Sequence, residues 1–150
     1  MDQQSNLARI QIVLVDTQDG ANIGSTCRAM KTMGITRLVL VGEREYDENR
    51  VRTLALHASD VWDNAKRFPT LKKALADSVL SVAATRRRGK FRKNSALSPA
   101  QLADIVMKTG EGLVSIVFGR ESDGLTDDEV SECSQRSEEH TSELQSRGLI

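Results

Sequence analysis

Ile10-Gln11-Ile12-Val13-Leu14-Val15 runs directly into Asp16-Thr17-Gln18-Asp19-Gly20-Ala21-Asn22-Ile23-Gly24-Ser25-Thr26-Cys27-Arg28, and the change of pattern between the two halves decides the fold. The first half is an aliphatic run broken only by Gln11 and reads as a buried strand. The second is polar and glycine-containing, and then Ile23, Cys27 and Met30 recur at helical spacing, with Met33 as a candidate continuation. Leu38 to Val41, Val79 to Ala84 and Leu113 to Phe118 repeat the strand pattern, so four strands are expected; Leu71, Ala74 and Leu75 mark another helical face. Strands alternating with helices predict an α/β domain with a mostly parallel sheet and flanking helices.

Working outward, Ser98-Pro99-Ala100-Gln101 and Thr126-Asp127-Asp128-Glu129 both carry the reciprocal capping pattern of a helix start, the former with proline at the first helical position. Glu43 to Arg52 is polar and reads as a loop entering a helix, and Leu54 to Trp62 is mixed in pattern. The 150 residues suit one domain. Lys plus Arg and Asp plus Glu are 21 each, so an anionic partner must be drawn by local clusters and not by the whole molecule. Aromatics make up only 3%, which argues against recognition that depends mainly on base stacking. Cys27 and Cys133 form neither a metal-ligand spacing nor a disulfide framework, and no apolar run approaches a membrane span. These features predict a cytoplasmic protein with no metal and no membrane.

The composition changes near Arg136. From there to Gly148 the only large apolar side chain is Leu144, and no periodic face can be buried. A disordered native terminus would have this composition. Arg136 to Ser146 also resembles, over 11 consecutive residues, the conceptual translation of a widely used sequencing adapter. The expected division is therefore an interrupted, partial domain over 1–135 and a non-native, disordered tail over 136–150 that carries no function.

Three segments could carry chemistry. After the first strand, Asp16 to Arg28 places a helix start beside glycines; helix N-termini attract anions, Gly20 and Gly24 would permit close backbone approach, and Arg28 could reach a phosphate. A capped helix with a surface arginine is the bland alternative. After the last strand, Gly119-Arg120-Glu121-Ser122-Asp123-Gly124-Leu125 offers two glycines, and a carboxylate that could order a neighbouring loop by accepting from Asn22 or Arg28; a simple turn would also fit. Arg86, Arg87, Arg88, Lys90, Arg92 and Lys93 put six cations into eight residues, a density suited to a phosphate backbone or to a solvated loop. His57 joins no catalytic constellation and reads as structural.

Asn22-Ile23-Gly24-Ser25-Thr26-Cys27-Arg28, its continuation through Gly34, and Phe118 to Leu125 closely resemble the first and second motifs of the SpoU/TrmH branch of the SPOUT RNA methyltransferases, with the TrmJ-like tRNA subgroup as the best match. The resemblance spans about Ile10 to Cys133. It implies a trefoil-knotted α/β domain, a homodimer, S-adenosyl-L-methionine as cofactor, and methyl transfer to an RNA ribose 2'-hydroxyl, with tRNA as the expected RNA. It further implies that Asn22, Arg28 and Glu121 are catalytic, that Gly119, Gly124 and Leu125 contribute to the cofactor pocket, and that Arg28 acts at the RNA together with the Arg86 to Lys93 cluster. Because a guanidinium stays protonated at neutral pH, Arg28 is expected to position a phosphate or the transition state, not to act as a base.

One departure stands out. The family's third motif, a proline-containing stretch followed by Ser-Leu-Asn, should follow Cys133-Ser134-Gln135 and does not. The knot segment and much of the adenosine pocket would be missing, so this chain is expected to bind cofactor poorly and to be inactive, with strand edges and dimer surface left uncovered. Two other readings compete. A non-catalytic RNA-binding domain would use the basic cluster alone, whereas a Rossmann-type oxidoreductase is disfavoured because the first turn lacks GxGxxG.

Overall fold

The computed structural model describes residues 7–84, 104, 107–108 and 110–136. The Ser98 to Gln101 capping pattern, the Arg86 to Lys93 cluster and the tail beyond Arg136 lie outside the described residues. In chain order the elements are β1 (Ile10–Val15), α1 (Gly20–Met33), β2 (Arg37–Val41), α2 (Glu48–Ala55), a 3-10 turn (Leu56–Ala58), α3 (Ser59–Asp63), β3 (Lys66–Phe68), α4 (Leu71–Ala74), β4 (Ser78–Ala84), β5 (Leu113–Phe118) and α5 (Asp127–Arg136). The polar loop before α2 and the mixed stretch after it follow the sequence pattern. The strand count does not: β3, absent from the four-strand expectation, is a three-residue edge strand paired only with β2. Its Lys66-Arg67-Phe68 carries no apolar alternation, as suits a short edge protected by charge.

All pairings are parallel, in the order β3-β2-β1-β5-β4. From β1 the chain winds outward through β2 and β3, then returns to build β4 and β5 on the other side. The direction of winding therefore reverses between β1 and β5, and the crevice outside their carboxyl ends is where parallel α/β sheets bind ligands.

Alternation along the strands sends side chains to two layers. Ile10, Ile12, Leu14, Leu38, Leu40, Val114 and Ile116 pack with Ile23, Cys27 and Met30 of α1 and with Val51 and Ala55 of α2. Val13, Val15, Val39, Val41 and Val117 face the other way, under Leu71, Leu75, Leu125 and Cys133. Gln11 breaks the aliphatic run because it faces this second layer, where its amide donates to Ser115 Oγ at 3.1 Å; Ser115 Oγ in turn lies 2.6 Å from Ser78 Oγ. The polar atoms are thus buried in mutual contact, which removes most of their desolvation cost. Met33 does not extend the α1 core face: it is 47% exposed, because the helix ends there. Gly34 at φ 85 closes α1, and the amides of Gly34 and Ile35 return to the carbonyls of Lys31 and Met30.

Among the described residues no helix is long and apolar enough to cross a membrane. The packing of α1 on α2 sets a tight steric limit near the site. A Cβ at Gly24 would lie 2.3 Å from the Val51 carbonyl oxygen and 2.9 Å from the Ala55 nitrogen, both backbone atoms that cannot rotate away. Gly24→Ala should therefore cost about 1–3 kcal/mol through forced separation of the helices, read as a lower urea midpoint; an unchanged or higher midpoint would show that the contact is slack.

Candidate functional site

Two loops meet at the switch point. The first, Asp16 to Asp19, joins β1 to α1; the second, Gly119 to Thr126, joins β5 to α5. β1 and β5 are in parallel register from Ile10↔Val114 to Leu14↔Phe118, so their carboxyl ends emerge side by side.

Glu121 joins the loops. One of its carboxylate oxygens accepts from the Gln18 amide at 2.7 Å, and the other accepts from the Asp19 amide at 3.0 Å and from Asn22 Nδ2 at 2.6 Å. The connection runs both ways, since Gln18 Oε1 accepts from the amide and hydroxyl of Ser122, each at 3.0 Å. Burial pushes the Glu121 carboxyl up, but the bonds from Asn22 and from the Gln18 and Asp19 amides outweigh it and hold the group below the usual glutamate range. The sequence left Asn22 and Arg28 as alternative donors, and the structure selects Asn22.

The start of α1 is not an open anion site. Asp19 caps it, accepting from the Ala21 amide at 2.9 Å, and Glu121 holds the two amides just before it. The negative charge that the helix dipole favours is therefore supplied internally. The two glycines also differ from the sequence expectation. The Cβ positions of Gly20 and Gly24 face Val51 and its neighbours on α2, so both serve helix packing and not approach to a ligand.

Arg28 is exposed, and its guanidinium has no hydrogen-bond or ion-pair partner among the described residues. Six residues along the helix from Asn22 place it about 9 Å farther from the junction. In the second loop, a Cβ at Gly119 would strike the Gly124 backbone at 2.2 Å, so this glycine lets the turn close on itself. Gly124 sits at φ 68 with open space around its Cβ position, next to the exposed end of β5, where Phe118 is 40% exposed. The Leu125 side chain is buried in the second core cluster and anchors the loop, so only its backbone can face a ligand. His57 lies in the exposed 3-10 turn, away from this junction.

Sequence reasoning missed the supporting frame. Arg120 donates to Asp16 Oδ2 at 2.8 Å, to Glu129 at 3.0 Å through two separate bonds, and to the Gly124 carbonyl at 3.2 Å. Tyr46 donates its hydroxyl to the Thr17 carbonyl at 2.6 Å, and Arg50 grips both oxygens of Asp19 at 2.7 and 3.0 Å. Only Glu129 carried a readable signal: its predicted capping box with Thr126 forms in both directions, at 2.8 and 3.2 Å.

A family model described as SpoU rRNA Methylase family matches residues 9–143. The chain is 35% identical over 126 residues to the Methanocaldococcus jannaschii protein named tRNA (cytidine-2'-O-)-methyltransferase TrmJ, covering 83% of this chain and 54% of that one. It is 42% identical over 128 residues to the Cronobacter sakazakii tRNA (cytidine/uridine-2'-O-)-methyltransferase TrmJ, covering 85% and 52%. This chain thus spans about half the length of the curated relatives it matches. Among solved structures, TrmJ from Z. mobilis ZM4 superposes with a TM-score of 0.71 at 34% identity, over 83% of this chain and 55% of that one.

The Arg50 grip makes a measurable electrostatic claim. Its hydrogen bonds, with help from the Ala21 amide, hold the Asp19 carboxyl down at about 2, against 3.8 for a free side chain. A depressed folded-state pKa adds stability that is present above the unfolded value and is lost as pH falls through the folded one, here between about pH 4 and 2. In a carbon-detected NMR titration Arg50→Gln should move the Asp19 midpoint up toward 3.8; an unmoved midpoint would assign the shift to the helix cap alone.

Proposed function

Because this chain belongs to the SpoU rRNA methylase family, we propose that its two-loop junction is the core of a site that transfers a methyl group from S-adenosyl-L-methionine to the ribose 2'-hydroxyl of tRNA. The observation that carries the reading is the Glu121 carboxylate: it is engaged in fixing the first loop and the start of α1, so the two motifs are joined by the chain's own hydrogen bonds.

The residues fit the cofactor. Gly124, at φ 68 with nothing within 4 Å of its Cβ position, leaves steric room for a ligand in the loop that follows β5, while its own amide and carbonyl are held by Arg120. Gly119 permits the turn, and Leu125 holds it down by its buried side chain. When bound, the cofactor supplies an electrophilic methyl on a sulfonium whose neutral thioether leaves readily.

The chain's own residues prepare the acceptor. Arg28, charged and without a partner among the described residues, binds a backbone phosphate near the reacting ribose and sets its approach. A phosphate oxygen of the RNA then takes the hydroxyl proton, because a guanidinium that stays protonated cannot. Asn22 and Glu121 keep the Arg28-bearing helix at a fixed height above the second loop. Arg86, Arg87, Arg88, Lys90, Arg92 and Lys93 extend the phosphate-binding track. The active form is a cytoplasmic homodimer that carries the family's third motif. The names of the relatives favour this enzyme reading over a non-catalytic RNA-binding domain.

Two measurements check it. A domain extended through the Ser-Leu-Asn-type segment should place tritiated methyl from the donor onto unmodified tRNA, recovered as alkali-resistant dinucleotides, while the 150-residue chain shows no turnover. Absence of transfer by the extended domain sinks the enzyme reading, and equal turnover by both forms sinks the assignment of the third motif. In the active form, Arg28→Lys should retain part of the RNA affinity but lower kcat about a hundredfold, since a point charge replaces a planar fork; an unchanged kcat would remove Arg28 from the transition state.

A further inference from the structure

Arg120 is held more firmly than any surface arginine needs to be. Its side chain is 21% exposed, and its partners Asp16 and Glu129 are 35% and 17% exposed. The three groups come from three places: Asp16 follows β1 in a left-handed conformation at φ 50, Arg120 follows β5, and Glu129 lies in the first turn of α5. Asp16 has little freedom to move elsewhere. Its amide is bonded to the Val41 carbonyl at 2.9 Å, and its carboxylate fills the space that a Cβ at Gly42 would need, 2.2 Å away. Glu129 is likewise committed, because both its oxygens accept from Arg120 and one of them also caps the Thr126 amide.

The backbone of Arg120 closes the same turn. Its amide donates to the Gly124 carbonyl at 3.1 Å and its carbonyl accepts from the Gly124 amide at 2.8 Å, which forms an isolated antiparallel bridge. The guanidinium adds a third bond to the Gly124 carbonyl. Glu121 is the next residue, so the height at which its carboxylate meets Gln18, Asp19 and Asn22 is set by how Arg120 is held.

We propose that Arg120 is the positioning residue of this site: by clamping the ends of β1 and β5 to the start of α5 it fixes Glu121 against the amides of Gln18 and Asp19. The inference rests on the methyltransferase reading for its functional meaning, but the clamp itself does not. Without the cation, two carboxylates would face each other across a half-buried gap, and their repulsion would push the end of β1 away from α5. The second loop would then swing with α5, and Glu121 would leave the first loop.

The test is amide hydrogen exchange by NMR on the 150-residue chain, which requires no activity. Arg120→Gln should speed exchange at Gln18 and Asp19 by about tenfold while Val13 and Val117, paired in the centre of the sheet, change by less than about twofold. Glu129→Gln keeps the capping box and two of the clamp's contacts, so it should give a smaller rise, about threefold, at the same two amides. That second variant decides the matter if Arg120→Gln does not fold. No rise at Gln18 and Asp19 overturns the proposal, and so does an equal rise at Val13 and Val117, which would make Arg120 a residue of general stability. In a form active on RNA, Arg120→Gln should lower kcat about tenfold with little change in the KM for RNA. Loosened amides with unchanged kcat overturn the functional role. Absence of methyl transfer in the unmodified protein sinks the methyltransferase reading and leaves the exchange result standing.

Discussion

The Glu121 carboxylate, spread over the amides of Gln18 and Asp19 and the side chain of Asn22, is the interaction on which the site depends. A carboxylate in that position does two things that a neutral group could not do together. It satisfies two backbone donors in a sharp loop where no strand or helix can, and it places negative charge next to the positive end of α1. Its own burial works against ionisation, and the hydrogen bonds exceed that penalty. The two loops are therefore one electrostatic unit, although they lie about a hundred residues apart in the chain.

Topology makes that unit possible. In a sheet ordered β3-β2-β1-β5-β4, the first and last strands are neighbours, so loops from opposite ends of the described chain emerge together. The layer on one side is tightened by glycine: Gly20 and Gly24 let α1 settle onto α2, and Arg50 and Tyr46, from α2 and the loop before it, reach back to Asp19 and Thr17. On the other side Leu125 and Cys133 are buried against Val13, Val15 and Val117, which seats the second loop and α5. Each residue from Asp16 to Asp19 is thereby tied to a different neighbour. Such a loop has little entropy left to lose when a ligand binds.

The layered α/β fold was legible because Ile10 to Val15 and its counterparts are buried on both faces and so read as aliphatic runs. β3 was not, because Lys66-Arg67-Phe68 owes its place to pairing with β2 and not to any face it buries. In the site, Asn22 and Glu121 could be named in advance, and the choice between Asn22 and Arg28 as partner of Glu121 could not, since it depends on which way the first turn of α1 faces. Gly24 was misread for a related reason. A glycine near a helix start signals close approach, but only the structure shows that the approaching group is the backbone of α2. Arg120 stood inside the second motif without a role of its own, because an arginine beside a glutamate in a turn has the composition of an ordinary surface loop, and its partners Asp16 and Glu129 lie on other elements.

The charges divide in a way that neither composition nor motif reveals. The whole chain is neutral, yet around the junction Asp16 and Glu129 are paired with Arg120, Asp19 with Arg50, and Glu121 with backbone amides. Asp16, Asp19, Glu121 and Glu129 are thus spent on internal partners and repel an incoming polyanion less than four free carboxylates would. Arg28, one face of α1 removed from them, is an exposed cation with no partner among the described residues. Screening weakens exposed charges beyond about 10 Å, so the field felt by a phosphate near α1 is set by this local arrangement and not by the net charge. A neutral protein can in this way present a cationic point at one end of its sheet, and the internal pairing of the acids is what leaves that point uncancelled.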